Sequence, residues 1–350
     1  IIPKDPSDPA YATWPENSSE VTGSANAWAP LSVDLERDMV FVPTGSPSPD
    51  YYGVLRPGNN RYANSVLAIR ASTGELVWDF QFVHHDLWDF DTPAQPLLTE
   101  LNRDGEKVPV LIQVTKQGFV FVLNRLTGEP FFPVEERAVS QSSVSGEWLS
   151  PTQPVPVTPA PLMKSHLVSE DAWGLTPFDR SACKKRIESL FSEGLFTPLQ
   201  ERNTLMMPGS LGGANWGGAV LWKERQLLYV NVNTMPFFGR LIETTEMKTG
   251  GHLPPAGKGM SLTMSGTPYT VEVNSLLSPL GIPCIAPPWG KLMAIDLSDG
   301  KVQWESALGS VHEMGPVNLP FEVNWGTPNL GGGLITRSGL LFIAATMDRR

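Results

Sequence analysis

The chain has 350 residues, of which 41% are apolar, so it can bury the core of one large domain or two ordinary ones. Its formal net charge is −10 and it carries no basic stripe, which excludes the phosphate backbone of a nucleic acid as a partner. Cys183 and Cys284 are too far apart for a cysteine metal site, and the sequence leaves open whether they pair.

Short apolar runs bounded by Gly, Pro, Asn or Asp recur along the chain and predict strands joined by turns. In three segments an apolar strand is followed by Thr-Gly or Asp-Gly and a strand that ends in an aromatic residue: Val66 to Trp78, Phe119 to Phe132 and Leu292 to Trp304. Glycine supplies the positive φ of a tight turn, so each segment is expected to be a hairpin. The spacing of the first two falls in the range of four-stranded propeller blades.

Two segments and one helix interrupt this pattern. Residues 133–180 are rich in Pro and Ser and residues 243–268 in Gly, Thr and Met, so both are predicted to be long loop insertions. Between them, Cys183, Ile187, Leu190 and Phe191 share one helical face. A short helix is therefore expected, with Asp179 as its N-cap and Gly194 as its C-terminal stop.

The segment VHHDLWDFD, residues 83–91, concentrates acids and histidines on the loop that follows the first hairpin. If the loop is extended, Asp86, Asp89 and Asp91 cannot all face the same way. A carboxylate beside Trp88 is partly removed from water, which raises its pKa and suits a general base. The alternative is a solvated acidic loop that Trp88 anchors to the core.

Other candidate site residues are a lysine and two tryptophans near small neighbours. Lys116 lies in a turn between apolar strands, where it is either solvated or a fixed cation that stabilises negative charge on a ligand. Trp28, and Asn215 with Trp216, are either packing residues or contacts for a flat ligand. Gly-Gly before Asn215 indicates close approach of the backbone.

Eight stretches resemble, in their order, the quinoprotein dehydrogenases of the membrane-bound glucose, quinate and shikimate class. They are NAWAPLSVD, VHHDLWDFDTPAQPLL, TKQGFVFVLNRLTGEP, SPTQP, WGLTPFD, PGSLGGANWGG, GIPCIAPPWGKLMAID and GTPNLGG. The resemblance implies an all-β fold, an eight-bladed β-propeller. Residues 1–350 would be part of this single domain and an incomplete set of blades. It also implies pyrroloquinoline quinone and a divalent metal (Mg or Ca) as cofactors, ubiquinone as electron acceptor, and a periplasmic location with a membrane anchor outside this chain.

The resemblance also implies roles for individual residues. Asp89 matches the family's catalytic base, and Lys116 the cation at the dicarbonyl edge of the quinone. Trp28 matches the indole on which the cofactor stacks, and Asn215 with Trp216 a pair that contacts the cofactor. Ser46 stands where the family usually has a metal-ligating Asn, and a hydroxyl is a weaker ligand than an amide oxygen, so no metal ligands are assigned.

The expected activity is oxidation of a hydroxyl group of a small polyol, sugar or cyclitol. Compared with related families, the chain lacks the vicinal cysteine pair of the quinoprotein alcohol dehydrogenases, so the resemblance implies sugars and cyclitols. The stretch NVNTMPFFGRLI departs from glucose-type chains, which favours quinate or shikimate over glucose. A different class of function stays open, because many propellers are non-catalytic scaffolds that bind other proteins. A scaffold has no reason to place Asp89 and Lys116 together, so the structure of this pair discriminates between the two hypotheses.

Overall fold

The computed structural model describes residues 1–244, 259–312, 322–344 and 346–347, which form mainly antiparallel sheets. The helices are α1 (Ser18–Val21) and α2 (Pro177–Ser189). The strands are β1 (Ser32–Asp34), β2 (Met39–Pro43), β3 (Ser65–Arg70), β4 (Leu76–Gln81), β5 (Leu97–Arg103), β6 (Glu106–Val114), β7 (Val120–Asn124), β8 (Val134–Ala138), β9 (Thr152–Pro156), β10 (Thr204–Met206), β11 (Ala219–Trp222), β12 (Leu227–Asn233), β13 (Phe237–Glu243), β14 (Met260–Thr263), β15 (Tyr269–Ser275), β16 (Gly290–Asp296), β17 (Lys301–Ala307), β18 (Gly333–Ile335) and β19 (Leu341–Ile343).

Four of the sheets follow one another as blades. Their strand orders are β1-β2-β3-β4, β5-β6-β7, β11-β12-β16-β17 and β18-β19. The first strands of successive sheets touch, because β1 contacts β5, β5 contacts β11 and β11 contacts β18. This is the arrangement of inner strands around a propeller axis. Within the described residues the sheets do not close into a ring, as expected of an incomplete propeller.

Two of the three predicted hairpins are complete. Strands β3 and β4 are joined through Gly74 at φ 78°, and β16 and β17 through Gly300 at φ 72°. In the second segment Gly128 also has a positive φ, but the returning strand is reduced to one bridge between Leu123 and Pro130. Proline has no N–H to continue the ladder, which explains the shortened hairpin.

The two predicted insertions contain regular structure. Residues 133–180 include the antiparallel pair β8-β9 and the start of α2. Of residues 243–268, 245–258 lie outside the described residues, and β14 occupies Met260–Thr263. Strand β14 belongs to a separate sheet of order β10-β13-β15-β14. The third blade is therefore split, since β12 pairs with β16 across residues 234–289, which carry β13, β14 and β15.

The predicted helix exists, but its ends differ from the prediction. Thr176 is the N-cap, because its side chain accepts a hydrogen bond from the N–H of Asp179, and Pro177 opens the first turn. Proline is pre-organised for that position, which moves the cap to Thr176 and makes Asp179 a first-turn acid. The helix ends at Ser189 with Leu190 as C-cap, well before Gly194. Cys183 and Ile187, which share the predicted apolar face, are buried.

A disulfide joins Cys183 of α2 to Cys284 in the insertion that splits the third blade. Both cysteines are fully buried, and the backbone N–H of Trp173 donates to the carbonyl oxygen of Cys284 at 2.9 Å. The bond closes a loop with a sequence separation of 101 residues. It therefore fastens two insertions that leave different blades.

We expect the double substitution Cys183→Ala/Cys284→Ala in the full-length protein to lower the free energy of unfolding by about 2–5 kcal/mol, because a long closed loop restricts the unfolded chain. Urea unfolding with and without a thiol reductant measures this. Ser181→Ala, at an exposed position of the same helix, is the matched control. Equal stability of the double variant and the parent protein would contradict the prediction.

Candidate active site

The residues that sequence analysis assigned to a site lie at one end of the blades. Trp28 precedes β1, Asp89 lies in the connection from β4 to β5, and Lys116 lies in the turn from β6 to β7. Asn215 and Trp216 directly precede β11. Because β1, β5 and β11 are neighbouring inner strands, the propeller brings these connections together at the ends where the inner strands begin.

The acidic loop is folded around Asp86. Its carboxylate accepts hydrogen bonds from the backbone N–H groups of Trp88 at 3.0 Å and Phe90 at 2.8 Å. The indole of Trp88 is buried and donates to the carbonyl oxygen of Thr197 at 2.9 Å, so it anchors the loop as expected. Asp89 has a φ of 57°, a left-handed conformation that few residues other than glycine, asparagine and aspartate adopt readily.

This fold corrects the assumption of an extended loop, because Asp89 and Asp91 face the same cation. The ammonium group of Lys116 donates to Oδ1 of Asp89 at 3.3 Å, to Oδ2 of Asp91 at 3.0 Å and to the carbonyl oxygen of Asp89 at 2.7 Å. The side chain of Lys116 is only 6% exposed, unlike an ordinary turn lysine. The structure thus supports the fixed-cation hypothesis.

The two carboxyl groups on Lys116 are driven to different pKa values. Burial, together with the charge of Asp91 beside it, raises the pKa of Asp89 well above its usual value. Burial alone would raise the pKa of Asp91 too. The charge of Lys116 and the hydrogen bonds that Asp91 accepts outweigh burial and hold the pKa of Asp91 below its usual value. Burial lowers the pKa of Lys116, but the negative charges of Asp89 and Asp91 have the larger effect, so the pKa of Lys116 is raised. Because the two pKa values move in opposite directions, Asp89 can act as a proton acceptor while Asp91 stays a permanent anion.

Sequence analysis missed two residues of this cluster, Asp50 and Tyr51. Burial, followed by the negative charges of Asp86 and Asp91, raises the pKa of Asp50 to about 6. Tyr51 is buried, and burial and the charge of Asp89 raise its pKa. Their only signal in the sequence is an acid and an aromatic residue a few positions after Ser46, in a segment that reads as an ordinary turn.

Ser46 does not replace the family's metal-ligating asparagine. Its hydroxyl donates to the carboxylate of Asp86 and accepts from the amide of Asn64 at 3.1 Å, so both hydrogen-bonding functions are used inside the chain. Its backbone N–H donates to Asp91 at 2.7 Å. Among the described residues no group of three or more His, Cys, Asp or Glu side chains is arranged to hold a metal ion. No metal ligand is therefore assigned among the described residues.

A flat cofactor fits the surroundings of Lys116 better. Trp28 is 47% exposed and Trp216 is 58% exposed, so neither indole is a core residue. A Cβ on Gly45 would lie 3.1 Å from Nε1 of Trp28 and 2.5 Å from Oδ1 of Asp91, so only glycine lets these two groups approach each other there. The indole of Trp28 is thus an open surface beside the charged cluster.

The loop that carries Asn215 is attached to Lys116. A Cβ on Gly212 would lie 2.8 Å from the side chain of Lys116, and the N–H of Gly213 donates to the carbonyl oxygen of Lys116 at 2.6 Å. The close approach predicted from Gly-Gly is therefore present. The amide of Asn215 donates to the carbonyl oxygen of Leu211 at 2.8 Å and accepts from the N–H of Trp216 at 2.7 Å, which fixes the side chain within its own loop.

Known proteins resemble the chain over nearly its whole length. It is 40% identical over 343 residues to quinoprotein glucose dehydrogenase A of Acinetobacter calcoaceticus, covering 95% of this chain and 42% of that protein. It is also 40% identical over 355 residues to the probable quinate dehydrogenase (quinone) of Xanthomonas campestris pv. juglandis, covering 98% of this chain and 45% of that protein. The chain thus spans under half the length of these relatives.

A solved structure has the same fold. The quinohemoprotein alcohol dehydrogenase from Comamonas testosteroni superposes with a TM-score of 0.59 at 21% identity, covering 98% of this chain and 42% of that one.

Residues 4–350 match the family described as PQQ: Glucose/ethanol/alcohol dehydrogenase, beta-propeller domain. The match confirms the resemblance seen in the sequence, the quinoprotein β-propeller and pyrroloquinoline quinone as the cofactor of the family. The roles of Asp89, Lys116, Trp28, Asn215 and Trp216 stay predictions. The chain belongs to the β-propeller domain family of the PQQ-dependent glucose, ethanol and alcohol dehydrogenases.

Proposed function

We propose that the protein containing this chain is a PQQ-dependent dehydrogenase that oxidises a CH–OH group of a sugar, polyol or cyclitol. The observation that carries this proposal is the pair formed by Asp89 and Lys116, whose Oδ1 and Nζ atoms lie 3.3 Å apart beside the exposed indole of Trp28. A non-catalytic scaffold has no need to bury a lysine between two carboxylates, because such charges are costly to remove from water.

Each residue of the cluster has a chemical task in this proposal. When bound, pyrroloquinoline quinone would supply an electrophilic carbonyl to take up the hydrogen of the substrate carbon together with its two electrons. Asp89 accepts the proton of the substrate hydroxyl, and burial, which raises its pKa, makes it a stronger base for this task. Lys116 keeps its charge and stabilises negative charge at the cofactor edge. Asp91 remains ionised and holds the ammonium group in place.

The charges around Asp89 favour a neutral substrate. Asp50 and Asp91 act electrostatically on Asp89, whereas Lys116 is held by carboxylates and the buried Arg56 donates to the carbonyl oxygens of Pro49 and Asp86. A carboxylate substrate such as quinate would be repelled by these acids. We therefore favour glucose or another neutral polyol over quinate and shikimate, although the sequence stretch NVNTMPFFGRLI favours the cyclitols.

We further propose a periplasmic location at the inner membrane, with ubiquinone as electron acceptor. The buried disulfide between Cys183 and Cys284 supports an oxidising compartment, because such bonds rarely persist in a reducing cytosol. In the part of the chain that the structure describes, no helix is long and apolar enough to cross a bilayer. As the family resemblance implies, the proposal assigns the membrane anchor to a part of the protein outside this chain.

Asp89→Asn in the full-length protein is expected to lower kcat by roughly 10²- to 10⁴-fold, because it removes the general base while keeping the shape of the side chain. Reduction of an artificial electron acceptor, with glucose, quinate and shikimate as substrates and with cofactor and divalent metal supplied, measures the effect. Titration of cofactor binding, which should be nearly unchanged, is the control. More than half of the parent activity in the variant would refute the role of Asp89.

Trp28→Ala is expected to weaken cofactor binding without a large loss of stability, because its exposed indole contributes little to the core. Trp88→Ala is the matched control: its buried indole is hydrogen-bonded to Thr197, so truncation should cost roughly 3–5 kcal/mol of stability. Thermal melts without cofactor and cofactor titrations separate the two effects. A large drop in melting temperature for Trp28→Ala would assign Trp28 to the core instead.

Asp50→Asn is expected to shift the acid limb of the pH profile of kcat/KM to lower pH. Activity rises with pH as Asp89 loses its proton, and the negative charge of Asp50 contributes to raising the pKa of Asp89. Removal of this charge lowers that pKa, so the base is ionised at a lower pH. Asp50→Glu keeps the charge and serves as control, and an unshifted or upward-shifted limb in Asp50→Asn would contradict the coupling.

A further inference from the structure

The N-terminal end of α2 carries an exposed apolar cluster that the proposed catalysis does not use. Phe178 is 88% exposed, Leu280 is 58%, Leu175 is 53% and Val168 is 44% exposed. Leu280 comes from the other insertion and is brought here by its N–H, which donates to the carboxylate of Asp179 at 3.4 Å. We name these four side chains the α2 surface. They come from three separate parts of the chain, so the cluster is a product of the fold.

Cations continue the α2 surface along the outer side of the helix. Arg180, Lys184, Lys185 and Arg186 are exposed, although the whole chain has a net charge of −10. Phe178 and Lys185 are seven positions apart and therefore lie on the same side of the helix. Asp179, on the helix itself, is buried and bonded to the N–H groups of Leu175 and Leu280. Two exposed acids lie nearby, Glu170 and Glu188, and Glu188 pairs with Lys184 at 3.9 Å, but the four cations outnumber them.

The α2 surface is held rigidly. The disulfide of Cys183 fixes the inner side of the helix, Arg180 donates through Nε to the carbonyl oxygen of Ala172 at 2.9 Å, and Arg186 donates to that of Leu277. A ligand that binds here therefore meets a preformed surface and does not have to order it. An exposed apolar patch in so rigid a setting marks an interaction site.

We infer that the α2 surface docks onto an anionic phospholipid bilayer. Isolated apolar side chains flanked by lysine and arginine are what the boundary between headgroups and acyl chains accommodates, because the apolar groups enter the boundary while the cations meet phosphates. The inference extends the proposed membrane location to residues of this chain, and its test needs neither cofactor nor substrate.

Site-directed spin labelling of the full-length protein in vesicles tests this inference. Both native cysteines of the chain are in the disulfide, so Phe178→Cys provides a single labelling position within it. Leu35→Cys is the matched control, because Leu35 is equally exposed at 88% and follows the last residue of β1, at the opposite end of an inner strand from the active site. Collision rates with oxygen, which concentrates in lipid, and with a water-soluble nickel chelate report what surrounds each label.

In vesicles containing phosphatidylglycerol, the label at position 178 should collide more with oxygen and less with the chelate than the label at position 35. In vesicles of phosphatidylcholine alone, or at roughly 1 M salt, the difference should shrink because the electrostatic attraction is removed or screened. Lys184→Gln/Lys185→Gln should lower the docked fraction, with each lost cation weakening docking about fivefold. Ser181→Ala is the neutral control on the same helix.

Two results would overturn the inference. Equal collision rates at positions 178 and 35 in anionic vesicles would show that the α2 surface stays in water. Protection of position 178 from both oxygen and the chelate would show that protein covers it. Loss of dehydrogenase activity would leave the spin-label result unchanged, so failure of the proposed function and failure of this inference are distinguishable.

Discussion

The candidate site depends on one buried cation. Lys116 carries its charge with a side chain that is 6% exposed, and the carboxylates of Asp89 and Asp91, with the carbonyl oxygen of Asp89, offset the loss of water around it. Loss of both carboxylates would leave this buried charge without a bonded anion. The surrounding structure follows from this requirement: Asp86 folds the acidic loop so that both partners face Lys116, and Gly212 lets a second loop cover its side chain.

The same arrangement explains how two neighbouring aspartates acquire different properties. Both belong to one loop and both touch one ammonium group, yet the N–H of Ser46 donates to Asp91 and not to Asp89. That additional hydrogen bond stabilises the ionised form of Asp91, while Asp89, beside this fixed negative charge, holds its proton to a higher pH. A serine at position 46 thus has a clear task in this chain, because its hydroxyl and its N–H orient Asp86 and Asp91.

Local features of the fold could be predicted from the sequence, and features that depend on distant contacts could not. The turns at Gly74 and Gly300 are encoded by neighbouring residues, whereas the shortened strand after Gly128 depends on Pro130. The pairing of β12 with β16 spans a long insertion and has no local signal.

Family resemblance identified Asp89 and Lys116 as site residues. The burial of Lys116 depends on acids elsewhere in the chain, and Asp50 and Tyr51 have no distinctive pattern in the sequence. The helix was predicted from its periodicity, while its true cap, Thr176, was missed because Asp179 is an equally good capping residue.

The insertions form a second structural level on top of the blades. One insertion, residues 133–218, lies between β7 and β11, and the other, residues 234–289, lies between β12 and β16. The disulfide between Cys183 and Cys284 joins the two insertions. Together they form most of the wall of a cavity of about 710 Å³. Met163 lines this cavity and packs so closely on Gly118 and Gly213 that a side chain at either glycine would collide with it. Gly213 is bonded directly to Lys116, so the cavity is separated from the charged cluster by little more than backbone. Blade residues fix the charges while insertion residues form this wall, and Gly212 and Gly213 are the points at which the first insertion reaches Lys116.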